Sequence, residues 1–258
     1  MIYDLQKANG FKRISAFLFD IIIFFIIAVG LACVFAIIFG VDAKQAELET
    51  YHNEYTDRYK EEYGIDLDAK SAEEIAALPE EERAIYEQAN TEWQNDERVL
   101  KANAAVYSLF ILVISLSLLF TFLIVEFAVP LLLKNGQTLG KKIFGVGVMR
   151  LDCVRMTAPL LFVRGILGKF TIETMVPLLI LLLIIIGQAG IVGLIALVLI
   201  LVLQIVVIIA TKTHSAVHDI LSSTVVIDLA SQMIFDTAED MLEYKKKIHA
   251  ESAEKSPY

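Results

Sequence analysis

The sequence predicts an all-α, polytopic transmembrane protein with about four spans and an extracytoplasmic helical hairpin inserted after the first. Three observations predict it. Mean hydropathy is positive, at +0.63, with 57% hydrophobic residues. The apolar residues fall into three blocks, 14–39, 104–133 and 175–210, that lack amphipathic rhythm. The charges are equally bunched, so the formal net charge of −9 conceals an acidic segment and several basic ones.

Residues 1–40 hold the N-terminus and the first span. Its apolar run is longer than a signal-peptide core and is interrupted by Asp20, so it reads as a retained anchor. Residues 41–103 follow, with seven basic and eighteen acidic residues. Ser71-Ala72-Glu73-Glu74 reads as a capping box, and Pro79 before Glu80-Glu81-Glu82 as a helix start. No glycine occurs from there to Gly136, so the helix is expected to run unbroken into the second span, 104–134. Tyr51, Tyr55, Tyr59 and Tyr63 form one stripe, expected to pack on Ile85, Trp93 and Val99; a ligand-binding aromatic surface is the alternative.

Residues 135–171 form a basic loop. Within it, 143–150 reads as a short strand or hairpin, and 160–170 as a helix lying in the membrane interface. The block 172–210 is too long for one crossing. Gly187-Gln188-Ala189-Gly190 divides it into a transmembrane hairpin. A tail, 211–258, ends the chain. With four spans, fifteen of the twenty-two basic residues, Lys134 and Lys255 among them, share one side. That side is expected to be cytoplasmic, with both termini on it. Cys33 and Cys153 cannot meet on this topology, so no disulfide is expected.

Charges inside spans are costly, about 2.5–3.5 kcal/mol for an aspartate at a helix centre. Asp20 and Glu126 are expected at similar depth near the cytoplasmic side, with Glu173 and Asp219 at span ends nearby. Two readings stand. Asp20 pairs with an arginine such as Arg13 or Arg164 and fixes packing. Alternatively the four acids, competing with Arg13, Arg164 and Lys141, line an inward-facing site for protons or monovalent cations. His214 and His218, spaced i, i+4, are candidate metal ligands beside Asp219, but no third strong ligand is evident. Phosphate-loop, nucleophile-elbow and nucleic-acid-binding patterns are missing from the sequence, so neither an enzyme nor a cofactor is expected. The expected partners are membrane lipids and further copies of the chain.

Four motifs then carry a resemblance. Phe11-Lys12-Arg13-Ile14-Ser15-Ala16-Phe17-Leu18-Phe19-Asp20 resembles the opening of the RDD family, named for an arginine and two aspartates. Gly136-Gln137-Thr138-Leu139-Gly140-Lys141-Lys142-Ile143-Phe144-Gly145 resembles its Gly-x-Thr-x-Gly-Lys segment. Arg164 falls where the family has an arginine, and the segment from His218-Asp219 to Val226 resembles the family's closing motif. By this resemblance Arg13, Asp20 and Asp219 are the name-giving residues. It covers 10–40 and 104–228, and the insertion 41–103 departs from more compact members. It implies a prokaryotic plasma-membrane protein, for which transport has been suggested. The rival reading is a non-transporting adaptor or sensor that binds a partner through 41–103.

Overall fold

The computed structural model describes residues 7–68, 70–133 and 135–255, the side chains of residues 252, 254 and 255 excepted; Lys134 and the Lys255 side chain therefore lie outside the description. Four helices are long and apolar enough to cross a membrane: Gly10–Phe39, Glu97–Leu133, Ala158–Ile185 and Gly190–Ala210. The chain is thus an all-α polytopic membrane protein. Along the first span only Ala16, Asp20 and Ala28 are buried, at multiples of four that share one face. Phe11, Ile14, Ile22, Ile26 and Ile37 stay exposed, a surface that suits hydrocarbon.

The chain divides into two compact units, one of Met1–Ala28 with Leu119–Tyr258, the other Val29–Leu118. In the second, helix Val41–Tyr63 precedes two shorter ones, Ala72–Ala76 and Glu80–Asn95. The capping box forms: the Ser71 hydroxyl accepts from the Glu74 amide while the Glu74 carboxylate accepts from the Ser71 amide. Tyr55 and Tyr59 pack with Ala89, Ile85, Leu67 and Trp93, so the aromatic stripe faces the helix it was expected to meet. The unbroken helix does not form. At Asp96 the backbone turns extended, with ψ 117°, and the Asp96 carboxylate accepts from the Arg98 amide. An aspartate here caps a new helix, which competes with continuing the old one.

In the first unit, β1 (Val146–Arg150) confirms the short strand, but its partner is distant. It pairs antiparallel with β2 (Thr224–Asp228), Val148 opposite Val226. Both faces are covered: Val146, Val148 and Val226 pack with Leu161 and Met156, while Met149, Val225 and Ile227 pack with Cys153. Cys153, at φ 65°, makes the turn after β1 in a conformation usually taken by glycine. Residues 160–170 are the first part of the third span rather than a separate helix, because Leu160 and Leu161 are anchored on the sheet. The glycine turn separates the third and fourth spans as expected.

Two spans widen where they carry charge. Residues Leu123–Ala128 of the second and Val163–Met175 of the third are π-helical. Each stretch ends two residues before a proline, Pro130 or Pro177, and each contains a glutamate four residues before it, Glu126 or Glu173. Proline has no amide hydrogen to give the carbonyl four residues back, so the α-helical ladder is broken at each glutamate. The wider turn is a common response at functional positions.

A candidate charged network between the spans

Asp20 is buried, and each of its oxygens has a donor. Oδ1 accepts from the Gly140 amide at 2.8 Å and Oδ2 from the Thr138 hydroxyl at 2.5 Å. Thr138 caps the short helix Leu139–Ile143, so the carboxylate sits against the positive end of that turn. Gly140 is needed there, because a Cβ would collide with the Ala16 carbonyl and stand 2.9 Å from Asp20 Cγ. The expected pairing of Asp20 with Arg13 or Arg164 is not made. Arg13 instead donates to the carbonyls of His214 and Val226, at 3.0 Å each. Seven residues put Arg13 and Asp20 on one face but about 10 Å apart along the axis, and different segments dock at the two levels.

Arg164 takes Asp219. Its Nε and one terminal nitrogen lie 2.9 and 2.8 Å from Asp219 Oδ1, and both side chains are 4% exposed. Thr224 adds a hydroxyl to the same oxygen at 3.2 Å. Burial opposes ionisation of Asp219, but the Arg164 charge overrides it and holds the carboxyl well below the usual carboxylate range.

His218 lies between Glu173 and Arg164. Its Nδ1 is 2.9 and 2.8 Å from the two Glu173 oxygens, and its Nε2 is 3.2 Å from an Arg164 nitrogen. A carboxylate can only accept and a guanidinium can only donate, so the geometry assigns a neutral imidazole with its proton on Nδ1. Burial and then the Arg164 charge lower its pKa, consistent with that state. Gly168 lets this segment approach the third span, since a Cβ there would meet His218 Cβ at 2.6 Å. His214 does not join His218 on a helix. It sits in a turn at φ 50°, with Nδ1 3.2 Å from the Ile208 carbonyl, while the helix starts at Val217. Among the described residues, no three His, Cys, Asp or Glu side chains are grouped to hold a metal.

Glu126 is paired through Oε1 with Lys169 Nζ at 2.5 Å. Its Oε2 is buried and has no hydrogen-bond partner among the described residues. Lys141 connects the two carboxylate sites. It is 9% exposed, and its ammonium donates to Thr138 Oγ1 at 3.2 Å, the hydroxyl that itself donates to Asp20. Burial and then the Lys169 charge push Lys141 down to about 8, against the opposing pull of Glu126 and Asp20.

The sequence singled out the acids and arginines of this network. It missed the roles of Thr138, Lys169 and Thr224, and the two Glu-x-x-x-Pro spacings were the readable sign of the widened turns. Arg13, Asp20 and Asp219 all lie within the network or beside it. No curated protein and no solved structure matches the chain. The RDD family model matches residues 7–223, which contain both widened spans, the Thr138–Gly140 turn and every charged residue of the network, and the chain belongs to the RDD family.

Proposed function

We propose that this protein moves monovalent cations or protons across a prokaryotic plasma membrane, with Glu126 as the carboxylate at which the cation competes with Lys169. One observation carries the reading: Glu126 Oε2 is buried without a hydrogen-bond partner among the described residues, while Oε1 is held by a single ammonium. A buried polar atom left unpaired costs about 1–3 kcal/mol, a penalty that a small cation arriving at Oε2 would remove. Asp20, with both oxygens already donated to, acts beside it by fixing the Thr138–Lys141 turn. Basic residues on the 135–171 and C-terminal segments favour cytoplasmic termini. Four helices enclose little space for a path, which favours a homo-oligomer. In this reading the transported ion is not chemically converted, so the protein is not an enzyme.

The test is flux in proteoliposomes, followed with a pH-sensitive dye on addition of sodium, lithium or potassium. Wild type is compared with Glu126→Gln and Asp20→Asn. Flux should disappear in Glu126→Gln and fall in Asp20→Asn. Wild-type flux from well-folded Glu126→Gln would overturn the mechanism.

A second reading, an adaptor that binds a partner through the extracytoplasmic segment, is favoured by the separate compactness of Val29–Leu118. Deleting 41–103 distinguishes the two, since a transporter keeps flux and an adaptor loses its partner.

A further inference from the structure

The acidic segment carries a feature that the charged network does not use. Helices Val41–Tyr63 and Glu80–Asn95 border a cavity of about 390 Å³, in the size range of small-molecule sites. The rings of His52, Tyr55, Tyr86 and Trp93 line it, with Glu87 and Asn90 on its exposed side. Residues 41–103 carry a formal charge of −11, so the surrounding field attracts cations and repels anions.

The same segment already holds cations over aromatic faces. Arg58 lies 4.6 Å from the Tyr55 ring centre, Arg98 5.1 Å from Tyr51 and Lys70 6.0 Å from Tyr86. Among the described residues no Lys or Arg lies over Trp93, although indole is the strongest of these rings for a cation. Trp93 is instead held edge to face by His52 and Tyr55, at 5.6 and 5.3 Å, which fixes its orientation at the cavity wall. Glu87 is paired through one oxygen with Arg83 at 3.2 Å, and its side chain is 70% exposed. His52 faces the same space with its Nε2 on Asp68 at 2.8 Å.

We propose that this cavity binds a small organic cation of the alkylammonium class, its charge against Trp93 and near Glu87, its alkyl groups against Tyr86 and the apolar wall. A hydrated metal ion would gain nothing from the apolar lining, and an anion is opposed by the field. An uncharged ligand of the same shape would fill the space without using the indole face or the acid.

Trp93 is the single tryptophan of the chain and so reports its own site. The experiment titrates the full-length protein in detergent with choline, following tryptophan emission. Its neutral carbon isostere, 3,3-dimethylbutanol, is titrated in parallel. Choline should give a saturable change, with the isostere binding about fivefold or more weakly. Glu87→Gln should weaken choline several-fold while leaving the isostere unchanged. Trp93→Leu, measured by equilibrium dialysis with labelled choline and shown by circular dichroism to retain its helix content, should lose binding. Equal affinity for choline and its isostere would overturn the assignment in favour of a plain apolar cavity. An absence of saturation, or full binding by Trp93→Leu, would remove the site altogether.

Discussion

The buried network of one unit and the acidic surface of the other hold charge in opposite ways. In the unit of Met1–Ala28 and Leu119–Tyr258, the Arg164 and Asp219 side chains are each 4% exposed and bound to each other. In Val29–Leu118, Arg58 and Glu92 form a similarly short pair, 2.6 Å against 2.8 Å, yet are 42% and 38% exposed. Distance alone would rank the two pairs together. Burial separates them, because a charge removed from water has only its partner to stabilise it, whereas an exposed one has the solvent. The buried acids Asp20, Glu126 and Asp219 of the first unit are therefore each held by a named donor, and the exposed acids of the second can be numerous and unbalanced. Any mechanism that moves an ion belongs with the first kind, and any surface that gathers ions with the second.

The comparison is broken most directly at Arg164. Arg164→Met leaves Asp219 buried without its partner, and the expected loss is about 3–5 kcal/mol. Reversible unfolding in mixed detergent would measure it. Removing both charges, Arg164→Met with Asp219→Asn, should recover most of that loss, since the penalty lies in the orphaned carboxylate. A double variant as unstable as the single one would mean that packing, rather than charge, is what Arg164 supplies.

A smaller effect is expected from Lys141. Its pKa is lowered to about 8 in the fold, against 10.5 ordinarily. The folded state releases this proton first, so between these values the unfolded chain binds more protons and stability rises with pH. Below about 8 the contribution is flat, because both states are protonated. The full rise is of the order of 3 kcal/mol. Lys141→Met should remove that limb from the stability profile between pH 8 and 10.5. Wild type and variant with parallel profiles would show that Lys141 is solvated rather than enclosed by Lys169, Arg164, Glu126 and Asp20.

What was legible in the sequence follows the same division by physics. The four spans could be read because each is a local apolar run, and the hairpin could be read because Gly187 and Gly190 interrupt one. The capping box at Ser71 and the tyrosine stripe were likewise local. β1 was readable as a strand, but β2 lies more than seventy residues on, and no local signal names a distant partner. Asp20, Glu126, Arg164 and Asp219 stood out because ionised groups beside apolar runs are costly wherever they point. Which base meets which acid did not stand out, because helix rotation decides it: Arg13 turned to two carbonyls and Lys169 took Glu126. Thr138 and Thr224 were silent for a different reason. A hydroxyl in a helix cap or a strand is common, and only the carboxylate beside it shows its role. The break at Asp96 was missed because the absence of glycine was read as continuity, although an aspartate with a free amide two residues on is itself a capping signal.

The smallest expected effect lies at Arg58, and it tests the comparison from its other side. Arg58 is bound to Glu92 and sits over Tyr55 and Tyr59, so by contacts alone it resembles Arg164. Its exposure says otherwise. Arg58→Ala exposes no buried charge, since Glu92 remains hydrated, and the expected loss is below about 1 kcal/mol. What loss there is should shrink further at high salt, where exposed charges are screened within about 8–10 Å or less. The same salt should leave the Arg164→Met penalty nearly unchanged, because ions cannot enter a pair that is 4% exposed. Measuring both variants at two ionic strengths therefore gives four numbers from which the division can fail. An Arg58→Ala loss as large and as salt-insensitive as that of Arg164→Met would mean that the acidic segment encloses its charges after all, and that an open, cation-gathering surface is the wrong description of it.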